Sequence, residues 1–115
     1  MESQFLFLFR GGDPARAGFS PQTAMQQWGG WVAGLKGQGR FVHGEPLRGP
    51  EGCVLAPEGH VSAGAVGSAA EAVSGYMAVR AESLAAAQAL AQDCPALLHG
   101  GTVEIRPMFV VNGAR

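Results

Sequence analysis

Few side chains in this sequence could move a proton or hold a charged ligand, and their spacing narrows what each could do. His43 and Glu45 stand two apart in FVHGEPL, residues 41–47. A strand there would carry both on one face together with Phe41, with Val42 and Gly44 on the other. An imidazole beside a carboxylate can act as a general base near neutral pH; the competing reading is a half-exposed strand histidine. If the pair is catalytic, the two side chains must turn into one pocket within hydrogen-bond reach. Arg10 closes the run QFLFLFR, where a guanidinium at a strand end can clamp a carboxylate ligand bidentately or form a structural ion pair with Asp13 or Glu104.

His60, in APEGH, could approach a cavity mouth or stand in a solvated turn. Tyr76 could face a cavity or give its hydroxyl to a backbone group at an interface. Trp28 and Trp31 lie at helical spacing, which fits core packing or the lining of an aromatic pocket. None of the three histidines has a spacing that fixes two metal ligands on one element, and no CxxC is present; neither a metal nor another cofactor is expected. A nucleophile elbow and a GxGxxG loop are also absent.

The elements that would hold these residues follow from pattern. QFLFLFR, residues 4–10, is a continuous apolar run of strand length, expected as a central strand covered on both faces. SPQTAMQQWGGWVAGLK places Met25, Trp28, Trp31, Val32 and Leu35 on one helical stripe, with Ser20 as N-cap and Pro21 at the first helical position. Short strands are expected around 41–46, 52–56 and 60–63, joined through RGPEG and APEGH as type I turns. VSGYMAVR, 73–80, alternates as a strand with Tyr76, Ala78 and Arg80 on one side. Ser83 caps an alanine-rich helix that stops before Pro95, and TVEIRPMFVV is a last strand in which Pro107 favours an edge or a bulge.

That order makes an α+β sheet with both helices on one face. The opposite face, rich in Phe, Val and Tyr, would invite association if left in water. Homodimerisation through the sheet faces, enclosing a cavity, is the expected solution.

The chain has 115 residues, the commonest size for one domain. That domain is expected to span 1–115, its core about 4–110 and its frayed tail 112–115. With 8 basic and 9 acidic residues the net charge is -1, which offers no field for a nucleic-acid backbone or an anionic membrane surface. No apolar run approaches the roughly 20 residues that span a bilayer. FLFLF has the wrong length and flanks for a signal segment, and Cys53 and Cys94 suggest buried free thiols in a reducing compartment. A soluble, cytoplasmic protein is expected, with neither nucleic acid nor membrane as partner.

Four segments, FLFLFRGGD, WVAGLKGQGRFVHGEPL, SGYMAVRAESLAAAQALAQDCPAL and GGTVEIRPM, together resemble the YCII-related family, often called the DGPF-domain family, over residues 4 to about 108. The resemblance implies a ferredoxin-like βαββαβ-type α+β fold of the dimeric α+β barrel superfamily. It also implies relatives of mostly unsettled activity: a few act as small-molecule enzymes, and others are fused to or encoded with sigma factors. In that family a strand ends in threonine, aspartate, glycine, proline and phenylalanine. The corresponding residues here are Ser62, Ala63, Gly64, Ala65 and Val66, and the methyl of Ala63 can neither carry charge nor accept a hydrogen bond. Another branch places a catalytic histidine on the first helix where this sequence has Trp28, whose indole offers one donor and no base.

The leading expectation is therefore a homodimeric domain that binds a small, anionic organic ligand in an intersubunit cavity, through Arg10, His60, Tyr76 and Trp28. The alternatives are a cofactor-independent lyase or isomerase using His43 and Glu45, and a regulatory protein-interaction module linked to transcription.

Overall fold

A computed structural model describes residues 3–63 and 71–109. The run FLFLF forms β1, Ser3–Arg10, and its alternation is stereochemically plain. Phe5, Phe7 and Phe9 are buried on one face, while Leu6, Leu8 and Arg10 lie half-buried on the other. The strand is central, as its composition predicts. Within one chain, however, it is covered on one face and not on both.

Helix α1, Pro21–Gly37, starts where Ser20 Oγ accepts from the Thr23 amide at 3.1 Å, with Pro21 occupying a position that needs no donor. Trp28, Trp31, Val32 and Leu35 turn its apolar side onto the phenylalanines of β1. The order continues with β2 Phe41–Pro46, β3 Cys53–Leu55, β4 Val61–Ala63, β5 Val73–Ala81, α2 Leu84–Ala91, α3 Pro95–Leu98 and β6 Thr102–Pro107. Ser83 Oγ caps α2 through the Ala86 amide at 3.0 Å.

Pro95 ends one helical run, as expected, and then opens another: at the first turn of α3 its missing N–H costs nothing, and Cys94 Sγ accepts from the Ala96 amide. Sequence pattern gave no sign of α3, which is too short for a periodic stripe. β6 closes at Pro107, and the residues of the expected longer strand beyond 109, like the tail, lie outside the described residues.

The main sheet runs β2-β5-β1-β6 with every neighbouring pair antiparallel. β1–α1–β2 and β5–α2–β6 are thus two interleaved crossover units, the ferredoxin-like arrangement, and α1 and α2 share one face. Trp31 Nε1 donates to the Leu90 carbonyl at 3.3 Å and ties the helices together. The core lies between them and Phe5, Phe7, Phe9, Met77 and Val79.

β3 and β4 pair with each other as a separate ribbon. Its connection departs from the expected type I turn. Glu58 has φ 67°, in the left-handed region, followed by Gly59 at φ 81°, whereas a type I turn needs a negative φ at that position. Cys53 on this ribbon is exposed, contrary to the expectation of two buried thiols; Cys94 is buried.

Candidate functional site

The open face of the sheet collects most of the chemically capable side chains, and a bulge decides which ones. Phe41 pairs with Val79, but His43 pairs with Ala78 and Glu45 with Tyr76. The extra residue at Val42 turns Phe41 to the helix side while His43 and Glu45 stay on the open side. Phe41 therefore does not share a face with His43 and Glu45 as a regular strand would require; it packs against the core, with Lys36 Nζ 5.1 Å from its ring centre.

Register then sets two rows across the open face. One is Glu45, Tyr76, Leu8 and Glu104; the next is His43, Ala78, Leu6 and Arg106. Leu6, Leu8 and Ala78 make an apolar centre, flanked by His43, Glu45 and Tyr76 on one side and Arg10, Glu104 and Arg106 on the other.

On the first side, Tyr76 Oη lies 2.8 Å from His43 Nδ1, their rings 5.5 Å apart at 47°. His43 Nε2 is 4.0 Å from Glu45 Oε2, within reach of an ion pair to a protonated imidazole but beyond a hydrogen bond. When the proton sits on Nε2, towards Glu45, Nδ1 is free to accept from the phenol. Glu45, His43 and Tyr76 thus form a line of acid, base and phenol across the two strands. In the single chain the side chains of His43 and Glu45 are 61% and 64% exposed, so no closed pocket surrounds them there.

On the other side, Arg10 Nη1 pairs with Glu104 Oε1, and Arg10 Nε donates to the Glu71 carbonyl at 3.2 Å. Arg106 Nη1 reaches Glu104 Oε2 at 3.3 Å. The Arg10 hydrogen bond first, with Arg106 adding to it, holds the Glu104 carboxyl below the usual range, against a smaller opposing effect of desolvation. Of the two acids the sequence offers Arg10, the structure selects Glu104. Asp13 is occupied locally, its Oδ1 accepting from the Ala15 and Arg16 amides at 3.1 and 3.4 Å.

Two expected residues stand elsewhere. Trp28 is on the helix side, 5.2 Å from Phe9 and 5.8 Å from Trp31 between ring centres, both nearly edge-on; it belongs to the core and not to the surface that carries Tyr76. His60 is exposed at the turn of the β3–β4 ribbon, where its carbonyl accepts from the Ala56 amide. Ser62 and Ala63 end β4; Gly64, Ala65 and Val66 lie outside the described residues.

His99, to which the sequence attached no role, is buried. Its Nε2 is 2.7 Å from Gln27 Oε1, its ring lies 5.5 Å from that of Phe19, and its carbonyl accepts from the Asp13 amide. It fastens the end of α3 to α1 and to the loop after β1. No group of three or more His, Cys, Asp or Glu side chains is arranged to hold a metal ion among the described residues, and no helix among them is long and apolar enough to cross a membrane.

The family model of the YCII-related domain matches residues 13–112. The chain belongs to the YCII-related family. The match takes in α1 through β6, so the open face of this YCII-related domain, apart from β1, is built from family-matched chain. No curated protein matches the sequence.

Proposed function

We propose that this YCII-related domain binds a small organic anion on the open face of its sheet, in a cavity closed by a second copy of the chain. One observation carries the reading: a sheet covered by helices on one side presents on the other an apolar centre of Leu6, Leu8 and Ala78, edged by Arg10, His43, Glu45 and Tyr76. An apolar centre with a polar border is the anatomy of a surface that meets a partner. A second copy related by twofold symmetry would cover the centre and bring two sets of the bordering groups around one enclosed space. Tyr76 offers a hydroxyl suited to orient an anion there, beside the positive charge of Arg10, whose guanidinium is shared with Glu104 and the Glu71 carbonyl. We read the domain as cytoplasmic, in keeping with its two unpaired cysteines, Cys53 and Cys94.

The test has two stages. Sedimentation velocity at micromolar concentration is expected to find a dimer. Thermal-shift measurements with acetate, succinate and benzoate should then find a stabilising ligand whose effect is reduced in Tyr76→Phe. A chain that stays monomeric at tens of micromolar, or a ligand effect indifferent to Tyr76, refutes the reading.

The Tyr76–His43 contact favours a second reading, a cofactor-independent lyase or isomerase in which the Tyr76 hydroxyl takes a proton from the bound molecule as it passes its own to His43 Nδ1, with Glu45 steadying the resulting imidazolium. Loss of turnover in His43→Gln, with ligand binding retained, separates this reading from binding alone.

A further inference from the structure

At the end of the sheet where β1 finishes and β6 begins, a groove of about 760 Å³ opens between the loop after β1 and the segment that follows α3, a volume within the range of sites for small organic ligands. Its floor is bare backbone. A Cβ added at Gly101 would lie 2.6 Å from the Arg10 carbonyl oxygen and 3.0 Å from the Gly12 nitrogen. Gly11 and Gly12, at φ 66° and 83°, are both left-handed. No side chain can fill this floor from either strand end, and the space above it stays open.

The two walls differ in kind. One carries Arg16, which is exposed, and among the described residues no recorded hydrogen bond or ion pair involves its guanidinium. Arg10, beside it, is already engaged by Glu104 and the Glu71 carbonyl. Asp13, the acid of the groove, is committed to the Ala15 and Arg16 amides and still places one negative charge there. The facing wall carries Leu97 and Leu98, 44% and 56% exposed at the end of α3. They stay exposed because Pro95, Ala96 and His99 take the inward positions of this short turn.

We propose that this groove is a second binding site, for a monocarboxylate with a compact apolar body, in which Arg16 takes the carboxylate and Leu97 and Leu98 the body. An unengaged guanidinium matches a carboxylate with its planar fork. The charge of Asp13 disfavours a dianion such as phosphate. The leucines give an apolar body a surface that water alone covers in the free chain. The site lies within one copy, so it does not depend on the second copy that the sheet-face reading requires.

The test is an amide NMR titration of the full chain with benzoate, with acetate and inorganic phosphate as comparators. Benzoate is expected to give saturable shifts at Gly11, Gly12, Arg16 and Gly100–Thr102. Arg16→Gln should weaken benzoate about tenfold, the effect of losing one charged hydrogen-bonding partner, while leaving the rest of the spectrum in place. Leu97→Ser should weaken benzoate and leave acetate unchanged. Absent or non-saturating shifts, equal affinity for benzoate and acetate, or tighter binding of phosphate would each overturn the proposal. Shifts confined to His43, Glu45 and Tyr76 would overturn it too while supporting the sheet-face site, so the two readings fail separately.

Discussion

Replacing Gly101 by alanine tests the close approach that shapes one end of the molecule. The backbone at Gly101 is not left-handed, so chain entropy alone would make alanine stabilising there, by about 0.4–1 kcal/mol. The structure opposes this with contact. The new methyl would meet the Arg10 oxygen at 2.6 Å, the Gly12 nitrogen at 3.0 Å and the Gly11 carbonyl carbon at 3.1 Å. All three are backbone atoms, and Arg10 is pinned in register against Thr102. Such overpacking costs about 1–3 kcal/mol, which leaves a net loss on the order of 1–2 kcal/mol. An unfolding entropy of roughly 2.1 cal/mol/K per residue, over 115 residues, converts that loss to a fall in Tm of about 4–8 °C.

Gly34→Ala is the control. Gly34 lies inside α1 with nothing within 4 Å of an added Cβ, and alanine there should gain about 1 kcal/mol, or roughly 4 °C. Circular dichroism melts at one fixed protein concentration read both variants, since association would make Tm depend on concentration. If Gly101→Ala melts at or above the parent temperature, the backbone contact is not as described.

Leu8→Lys, at the centre of the open face, should leave the folded chain intact but raise the dimer dissociation constant about thirtyfold or more, because each of the two symmetry-related copies of residue 8 in the single interface loses about 1 kcal/mol of apolar burial before the lysine's desolvation is counted; sedimentation equilibrium reads this directly. Glu104 has its folded-state pKa lowered by Arg10, so its stabilising effect is complete above the unfolded carboxyl pKa and is lost as pH falls through the lower folded value. Urea midpoints should therefore decline through the acid range, and Glu104→Gln should flatten that decline. Burial pushes the Cys94 thiol up to about 11 while Cys53 is exposed, so a thiol reagent at pH 8 should label Cys53 in the native protein and Cys94 only after denaturation; native labelling of Cys94 at a similar rate would contradict its burial.

The limits of reading the sequence are local and physical. β1, α1, β5 and α2 were legible because each has a pattern, a cap or a breaker that acts within its own segment: the apolar run of β1 broken by Gly11 and Gly12, Ser20 with Pro21, the alternation of 73–80, Ser83, and the stop at Pro95. The grouping of Tyr76 with Ala78 and Arg80 on one side of β5 follows from alternation alone. The bulge at Val42 was not legible, because it depends on how β2 meets β5 and not on either strand's composition. Without it Phe41 accompanies His43; with it Phe41 enters the core and the contact from Tyr76 to His43 faces outward. Trp28 had two readings from one spacing, and the phenylalanines of β1 chose the core. Arg16 and the groove carry no sequence signal, since they depend on two glycine pairs from distant parts of the chain meeting backbone to backbone.

By itself the sequence determined which of the longer segments become strands and helices and the α+β order they take, because these follow from periodicity, capping and breakers along the chain, while its short motifs pointed to the family and, through that resemblance, to the ferredoxin-like fold. Only the tertiary structure decided that Arg10 pairs with Glu104, that Tyr76 meets His43, and that His99 is buried against Gln27. Those partners are separated by many residues, and their approach is fixed by strand register and packing, whose free energy is shared by the whole sheet rather than written in any one segment.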